Sequence, residues 1–196
     1  MNSFGTKAKR AEATLSGPRR APVPTRDTTV TEHLTFAIGT CSLGTLMVAR
    51  NAGGICAVLL GDSRADVMDE LELRFPHAAI IEGDHRATRL LNKVAARVES
   101  PNTAIDLPLD MRGTDFQQRV WRALRDIPAG STASYAEIAR RIGAPDAVRA
   151  VAQACAANRL AIVIPCHRVV RSNGALSGYR WGVERKRMLL QREACA

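Results

Sequence analysis

The chain has no Cys-x-x-Cys pair, no apolar run approaching the length of a membrane span, and no hydrophobic core of a secretory signal near its start. The first lack argues against a zinc ribbon or a redox motif, and four scattered histidines do not replace it, so no metal site is expected. Five cysteines, an odd number without paired spacing, do not make a disulfide framework. Free thiols in a reducing, cytoplasmic compartment are expected instead. The missing span and signal leave no reason to expect a membrane partner. Residues 1–30 also have almost no large apolar side chains; they cannot bury enough surface to fold alone, and a disordered basic arm is expected there.

What is present is positive charge, unevenly spread. The net charge is +9 over 196 residues, at an ordinary apolar content of 46%. Residues 1–30 carry six basic and two acidic side chains, residues 31–114 eight and eleven, and residues 115–196 fourteen and six. A cationic C-terminal part thus follows a mildly acidic one. Such asymmetry points to a polyanionic partner, of which nucleic acid is the commonest.

From His33 the pattern turns to short apolar stretches separated by glycine. Leu34–Thr40, Thr45–Arg50 and Ile55–Leu60 read as strands, Ser63–Phe75 as a helix stopped by Pro76, Ala78–Ile81 as a strand, Arg86–Val98 as a helix and Ile105–Leu109 as extended chain. A meander with helices against it is an α+β unit, and no chemistry is visible in it. Thr114 and Gln117 have capping-box spacing and open a helix with Phe116, Val120, Leu124 and Ile127 on one stripe. Ser134 and Glu137 form a second box, opening a short helix with Ile138 and Ile142 inward. A tight Gly143–Asp146 connection follows, and Asp146 is placed to cap a third helix running to about Ala157. Helix, glycine turn, helix is the helix-turn-helix pattern. The third helix is nearly all alanine around the lone Arg149, a slim element with few side chains able to fork onto base edges, suited to close approach to a narrow groove.

The segment Ile162–Val169, Ile-Val-Ile-Pro-Cys-His-Arg-Val, carries the chemistry. Its β-branched run favours extended backbone, and Pro165 stiffens the chain immediately before Cys166. In extended chain Cys166 and His167 would point to opposite faces, so cooperation between them requires a water or a sharp turn. Beyond it come an Asn173-Gly174 turn and Ser177–Gly182, a glycine-bounded loop with two aromatics suited to cover a flat ligand. A last helix from Val183 places Glu193 near its C-terminus, where the macrodipole disfavours a carboxylate and a specific partner is implied.

Taken together, the Arg149–Asn158 run, Ile164–Val170 and Ser177–Gly182 resemble, in order and spacing, the catalytic domain of the O6-alkylguanine-DNA alkyltransferases (methylated-DNA–protein-cysteine methyltransferases), above all the C-terminal half of Ada-type proteins. The likeness is strong over about 80 residues and holds only in outline for residues 33–110. It implies an α+β fold: a small N-terminal α/β, ribonuclease H-like domain over 31–110, then a helical, winged-helix-like domain with helix-turn-helix over 111–196. It implies direct reversal of DNA damage, with the alkyl group of O6-alkylguanine, and of O4-alkylthymine as a further candidate, moved irreversibly onto Cys166. His167 would act as base through a water, and Glu193 would orient it. Tyr135 would donate to guanine N3, and Asn158 would tie the recognition helix to the active-site segment. Tyr135, Val169, Tyr179 and Arg180 would bind the base; Ala147, Arg149, Ala150 and Gln153 would face DNA, with Arg149 filling the place of the flipped nucleotide. The partner would be duplex DNA, bound by a monomer without cofactor or metal.

Departures from the Ada-type pattern limit the likeness. Cys41 and Cys56 lack partner cysteines for a zinc domain, and His33, Cys41 and His85 do not match a structural zinc site. Phosphotriester repair and methylation-triggered transcription are therefore not expected. Two other readings compete. A sensor that binds alkylated bases without chemistry would lack the reactive thiol, which Cys166 supplies; a cysteine hydrolase would need an oxyanion hole that the sequence does not offer.

Overall fold

Strands β1 (Glu32–Cys41), β2 (Gly44–Asn51) and β3 (Gly54–Gly61) follow one another through tight turns and pair antiparallel. The structure is a computed structural model, and it describes residues 32–83, 85–103 and 106–195 together with Met1. The expected basic arm beyond Met1, and the first residue of the expected extended stretch at Ile105, lie outside the described residues. Helix α1 (Arg64–Arg74) starts at Ser63, whose hydroxyl accepts from the Asp66 amide while Asp66 accepts from the Ser63 amide. Strand β4 (Ala78–Glu82) then returns parallel to β1, giving the order β3-β2-β1-β4. Helix α2 (His85–Glu99) turns Ala87, Leu91, Val94 and Val98 onto the sheet against β1 and β2, while α1 packs Val67 and Leu71 on β3 and β2.

Every residue of β3 is buried, as its unbroken apolar sequence anticipates for a strand covered on both faces. Its outer edge is covered as well. The Ile55 amide donates to Pro108 C=O (2.8 Å) and its carbonyl accepts from the Asp110 amide (2.8 Å). Further along, the Val58 amide donates to Arg159 C=O (2.8 Å) and the Val58 carbonyl accepts from the Ala161 amide (3.0 Å). Gly54, at φ +138°, is needed for this approach: a Cβ there would lie 2.4 Å from Pro108 O.

The rest of the chain is mainly helical. Helices α3 (Asp115–Arg125) and α4 (Tyr135–Arg141) begin at the two anticipated capping boxes, Thr114/Gln117 and Ser134/Glu137. Helix α4 ends in a Schellman motif: Gly143, at φ +72°, donates to Arg140 C=O and Ala144 to Ala139 C=O. Helix α5 (Val148–Ala156) follows, completing the helix-turn-helix. Its N-cap is Ala147, not Asp146 as the sequence suggests, because a turn closed by Ala147 N–H on Ala144 C=O puts the boundary one residue later. Trp121 of α3 donates its indole N–H to Ala154 C=O of α5 (2.9 Å). Two-residue strands β5 (Ala133–Ser134) and β6 (Val169–Val170) pair parallel, and α6 (Val183–Ala194) closes the chain. The fold is thus mixed α+β, with one apolar core that runs from the sheet through Trp121, Leu160 and Ile164 into the helical part.

Candidate active site

The site is built around Asn158, which is almost fully buried just past α5. Its carbonyl oxygen accepts from the Leu160 amide (2.8 Å), and its amide nitrogen donates to Ile164 C=O (3.0 Å) and to the Cys166 sulfur (3.2 Å). These bonds overturn the extended backbone that the Ile-Val-Ile run suggests. Held by Asn158 and by the edge of β3, the chain turns back on itself, the Ile164 amide reaching Leu160 C=O (2.9 Å) and Ile162 taking φ +70°. A β-branched residue in that region is strained, and the surrounding bonds hold it there. Pro165, at φ −80° and ψ 60°, centres an inverse γ-turn in which the Cys166 amide donates to Ile164 C=O (2.8 Å). A single 3-10 turn, Cys166–Arg168, follows. Local propensity for a strand loses here to tertiary hydrogen bonding.

Cys166 is 5% exposed, and its sulfur side opens on a cavity of about 510 Å³ walled by Tyr135, Cys155, Ser177, Tyr179 and Arg180 among others. Burial pushes the thiol up to about 11, against the opposing pull of the Asn158 amide and the Lys186 ammonium. The resting group is therefore a protonated thiol that needs a base to become a nucleophile.

His167 lies next in the turn, fully buried, with Nε2 at 2.9 Å from Glu193 Oε1. Burial opposes ionisation of Glu193, but hydrogen bonds from His167 and Arg168 outweigh it and hold the carboxyl at about 2. An ionised Glu193 can only accept, so Nε2 carries the proton and Nδ1 keeps its lone pair. Nδ1 is buried without a hydrogen-bond partner among the described residues. Burial lowers the His167 pKa, with the carboxylate pulling the other way, so the ring rests neutral at pH 7. The carboxylate placed against the macrodipole at the end of α6 thus has its partners, His167 and Arg168, both from the Cys166 turn.

Of the expected base-binding residues, Tyr135, Tyr179 and Arg180 stand in the cavity wall. Val169 stands outside it, with a fully buried side chain and its carbonyl accepting from Lys186 Nζ (2.5 Å). The parallel β5–β6 pairing sets Val169 opposite Ala133, which brings the start of α4, with Tyr135, alongside the Cys166 turn. Arg180 also pairs with Glu70 of α1 (2.7 Å). Helix α5 turns Val151, Ala154 and Cys155 inward and leaves Arg149 and Gln153 exposed, with Ala147 and Ala150 half-exposed beside them.

Sequence reasoning missed two cations. Arg168 is buried and grips Glu193 through Nε (2.9 Å) and Nη2 (2.8 Å) while donating to Ile127 C=O. Lys186 is fully buried and donates to Val169 C=O and to Ser177 Oγ. A usable signal existed for the second: Lys186, Leu189 and Glu193, at helical spacing, form the buried stripe of α6. Among the described residues no three His, Cys, Asp or Glu side chains converge to hold a metal, and no helix is long and apolar enough to cross a membrane.

Comparison with known proteins adds to this geometry. Residues 115–195 match the family described as 6-O-methylguanine DNA methyltransferase, DNA binding domain. The chain is 55% identical over 159 residues to the bifunctional transcriptional activator/DNA repair enzyme Ada of Escherichia coli, covering 81% of this chain and 45% of that protein. It therefore spans less than half the length of that relative. It is 42% identical over 120 residues to the inducible methylated-DNA–protein-cysteine methyltransferase of Bacillus subtilis, covering 61% of this chain and 67% of that one. The crystal structure of Mycobacterium tuberculosis OGT in complex with DNA superposes with a TM-score of 0.68 at 37% identity, over 83% of this chain and 93% of that one.

Proposed function

Because this chain belongs to the methylated-DNA–protein-cysteine methyltransferase family, we propose that it repairs DNA by moving the alkyl group of O6-alkylguanine onto Cys166. The observation that carries this reading is the Cys166 thiol itself, protonated at rest and opening on a cavity of about 510 Å³, with a neutral His167 behind it. That volume lies within the usual range for small-ligand sites, roughly 300–1,000 Å³. Guanine O6 is inside the base stack, so the nucleotide must leave the duplex to reach the sulfur.

The steps follow from the groups present. His167 Nδ1 takes the thiol proton through a water, and ionised Glu193 holds the ring in the tautomer that allows it. The thiolate, steadied by the Asn158 amide, attacks the alkyl carbon; the carbon–O6 bond breaks and the purine keeps the electron pair. Tyr135 gives its proton to N3 of the departing guanine. Tyr179 and Arg180 enclose the base, and Val169 supports the wall from beneath. The thioether is too stable for this machinery to hydrolyse, so each molecule acts once. Helix α5 approaches the minor groove with its small face, Ala147, Ala150 and Gln153 against the backbone and Arg149 inserted where the nucleotide stood. The basic 115–196 region supplies the charge for phosphate contacts.

On this reading residues 111–196 form the catalytic, winged-helix-like domain and 31–110 a ribonuclease H-like companion, preceded by a basic arm over 1–30. The protein acts as a cytoplasmic monomer without cofactor. The test is a count: incubate it with duplex DNA holding O6-methylguanine labelled in the methyl group, and measure label per protein. One equivalent on Cys166, lost in Cys166→Ala with DNA affinity kept within a few-fold, is expected. Binding without transfer would mean a sensor, and several products per protein a hydrolase.

A further inference from the structure

The cavity wall contains a line of hydrogen bonds that the thiol and the imidazole do not use. The Lys186 ammonium is fully buried on α6 with no carboxylate against it among the described residues, an expensive arrangement unless the cation has work at the site. It donates to Val169 C=O (2.5 Å) and to Ser177 Oγ (3.2 Å). Ser177 Oγ shares a 2.6 Å hydrogen bond with the Tyr135 hydroxyl, and both Ser177 and Tyr135 face the cavity that Cys166 faces.

The chemistry of the groups fixes one of the two bonds and leaves the other able to run either way. A charged lysine only donates, so Ser177 Oγ accepts from it. Either hydroxyl of the Ser177–Tyr135 bond is able to donate; in the arrangement with Ser177 as donor, the Tyr135 hydrogen is free to point into the cavity. We propose that Lys186 and Ser177 are positioning residues that hold Tyr135 as a donor toward the extruded base and replace the proton it gives up. The inference rests on the alkyl-transfer reading above. As the sulfur–carbon bond forms and the carbon–O6 bond breaks, the purine takes the electron pair and the Tyr135 proton. The Ser177 proton passes to Tyr135, and a Lys186 proton to Ser177, leaving a neutral amine beside the new thioether. No oxidant or second substrate is needed.

The setting of Lys186 suits this task. Burial lowers its pKa, against the pull of the thiols of Cys166 and Cys155, so it releases a proton more readily than an exposed lysine. The titratable groups that face it are Cys155 from α5, Cys166 and His167 from the turn, and Tyr135 through Ser177.

The experiment uses the whole protein in excess over free O6-methylguanine labelled in the methyl group, so that base extrusion does not limit the rate. Ser177→Ala breaks the line while keeping Lys186 on Val169, and a melting curve checks that it folds. Its single-turnover rate at neutral pH should fall about five- to tenfold, the worth of one hydrogen bond. The alkaline fall in rate should move to higher pH, because Tyr135 must then act alone and burial raises its own pKa. The rate in mixtures of light and heavy water should change from a curved to a linear dependence, as several moving protons become one. Ser177→Thr should restore all three. An unchanged rate, or a slower rate with the pH profile and isotope dependence unaltered, would overturn the relay. Failure of the wild type to take up label would instead sink the alkyltransferase reading itself.

Discussion

Replacing Glu193 by Gln tests the arrangement that holds His167 in place. Glu193 is buried and accepts from His167 Nε2, from Arg168 Nε and from Arg168 Nη2, so its charge is the counter-charge of a buried guanidinium. Glutamine keeps one acceptor but sets an NH2 group against Arg168 and removes the negative charge. Leaving a buried charge without its partner costs about 3–5 kcal/mol. Wild-type linkage gives a second figure. The folded carboxyl sits at about 2 against an ordinary 4.5, a difference that contributes about 3 kcal/mol at neutral pH. Because the folded state binds this proton more weakly than the unfolded chain does, the contribution is complete above pH 4.5 and is lost as pH falls toward 2. His167, lowered from its ordinary 6.5 chiefly by burial, acts in the same direction but fades first, as pH drops below 6.5. Urea denaturation of the wild type from pH 7 to 3 should therefore show two successive losses, and Glu193→Gln should lose the lower one along with about 3–5 kcal/mol at pH 7. Arg168→Met added to Glu193→Gln should recover part of that cost, since the stranded charge is gone. A single-variant cost below about 1 kcal/mol, the level of an exposed ion pair, together with a wild type equally stable at pH 5 and pH 3, would refute the reasoning.

Four further outcomes follow from other contacts and from the charge. Asn158→Ala removes the partner of the buried Leu160 amide and the donor to Cys166, so it should cost about 1–3 kcal/mol in chemical denaturation. The same variant should raise the thiol beyond its present value of about 11, read from alkylation rate against pH; an unshifted profile would remove Asn158 from thiol activation. Arg149→Ala should slow repair of duplex DNA far more than reaction with the free base if Arg149 has the place proposed for it in extrusion; equal losses on both substrates would exclude that role. Affinity for duplex DNA should fall linearly on a log–log plot against salt, and a flat dependence would mean that the basic 115–196 region does not meet phosphates.

Much of this molecule was legible from local signals, and the failures have a common cause. The three meander strands, and the helix starts at Ser63, Thr114 and Ser134, formed where glycine turns and capping boxes put them, because those signals act within a few residues. Asp146 missed its capping position by one residue, since the Ala144–Ala147 turn is set by the Schellman motif before it. The Ile162–Ile164 run reads as a strand by propensity and is a strained turn in the structure. The bonds that decide it come from Asn158 and from Val58, about a hundred residues earlier, and no local window contains both. Arg168 and Lys186 drew no expectation, because buried cations are rare and a lone basic residue in sequence carries no sign of burial; for Lys186 only the stripe shared with Leu189 and Glu193 offered a signal.

The N-terminal sheet, which offered no chemistry to sequence reading, explains how so irregular a site keeps its shape. Residues 157–168 contain no long helix or strand, and a buried loop of that kind should fray, since its backbone groups lack a regular ladder. Strand β3 supplies a short piece of one: at Val58 its edge takes the Arg159 carbonyl and the Ala161 amide, so an isolated parallel bridge ties the approach to Cys166 to the sheet. The opposite wall of the cavity is fixed to the same body. Arg185 of α6 joins Trp181 C=O to Leu43 C=O and to the Asp62 carboxylate, and Arg180 reaches Glu70 on α1. Both walls of the cavity are therefore anchored to the same sheet, and on the proposed reading the distance between the sulfur and an extruded base is set by elements that touch neither. Loosening β3 should then reduce reactivity before it unfolds the helical part, because α3 and α4 carry their own capping boxes while the Cys166 turn has only its neighbours.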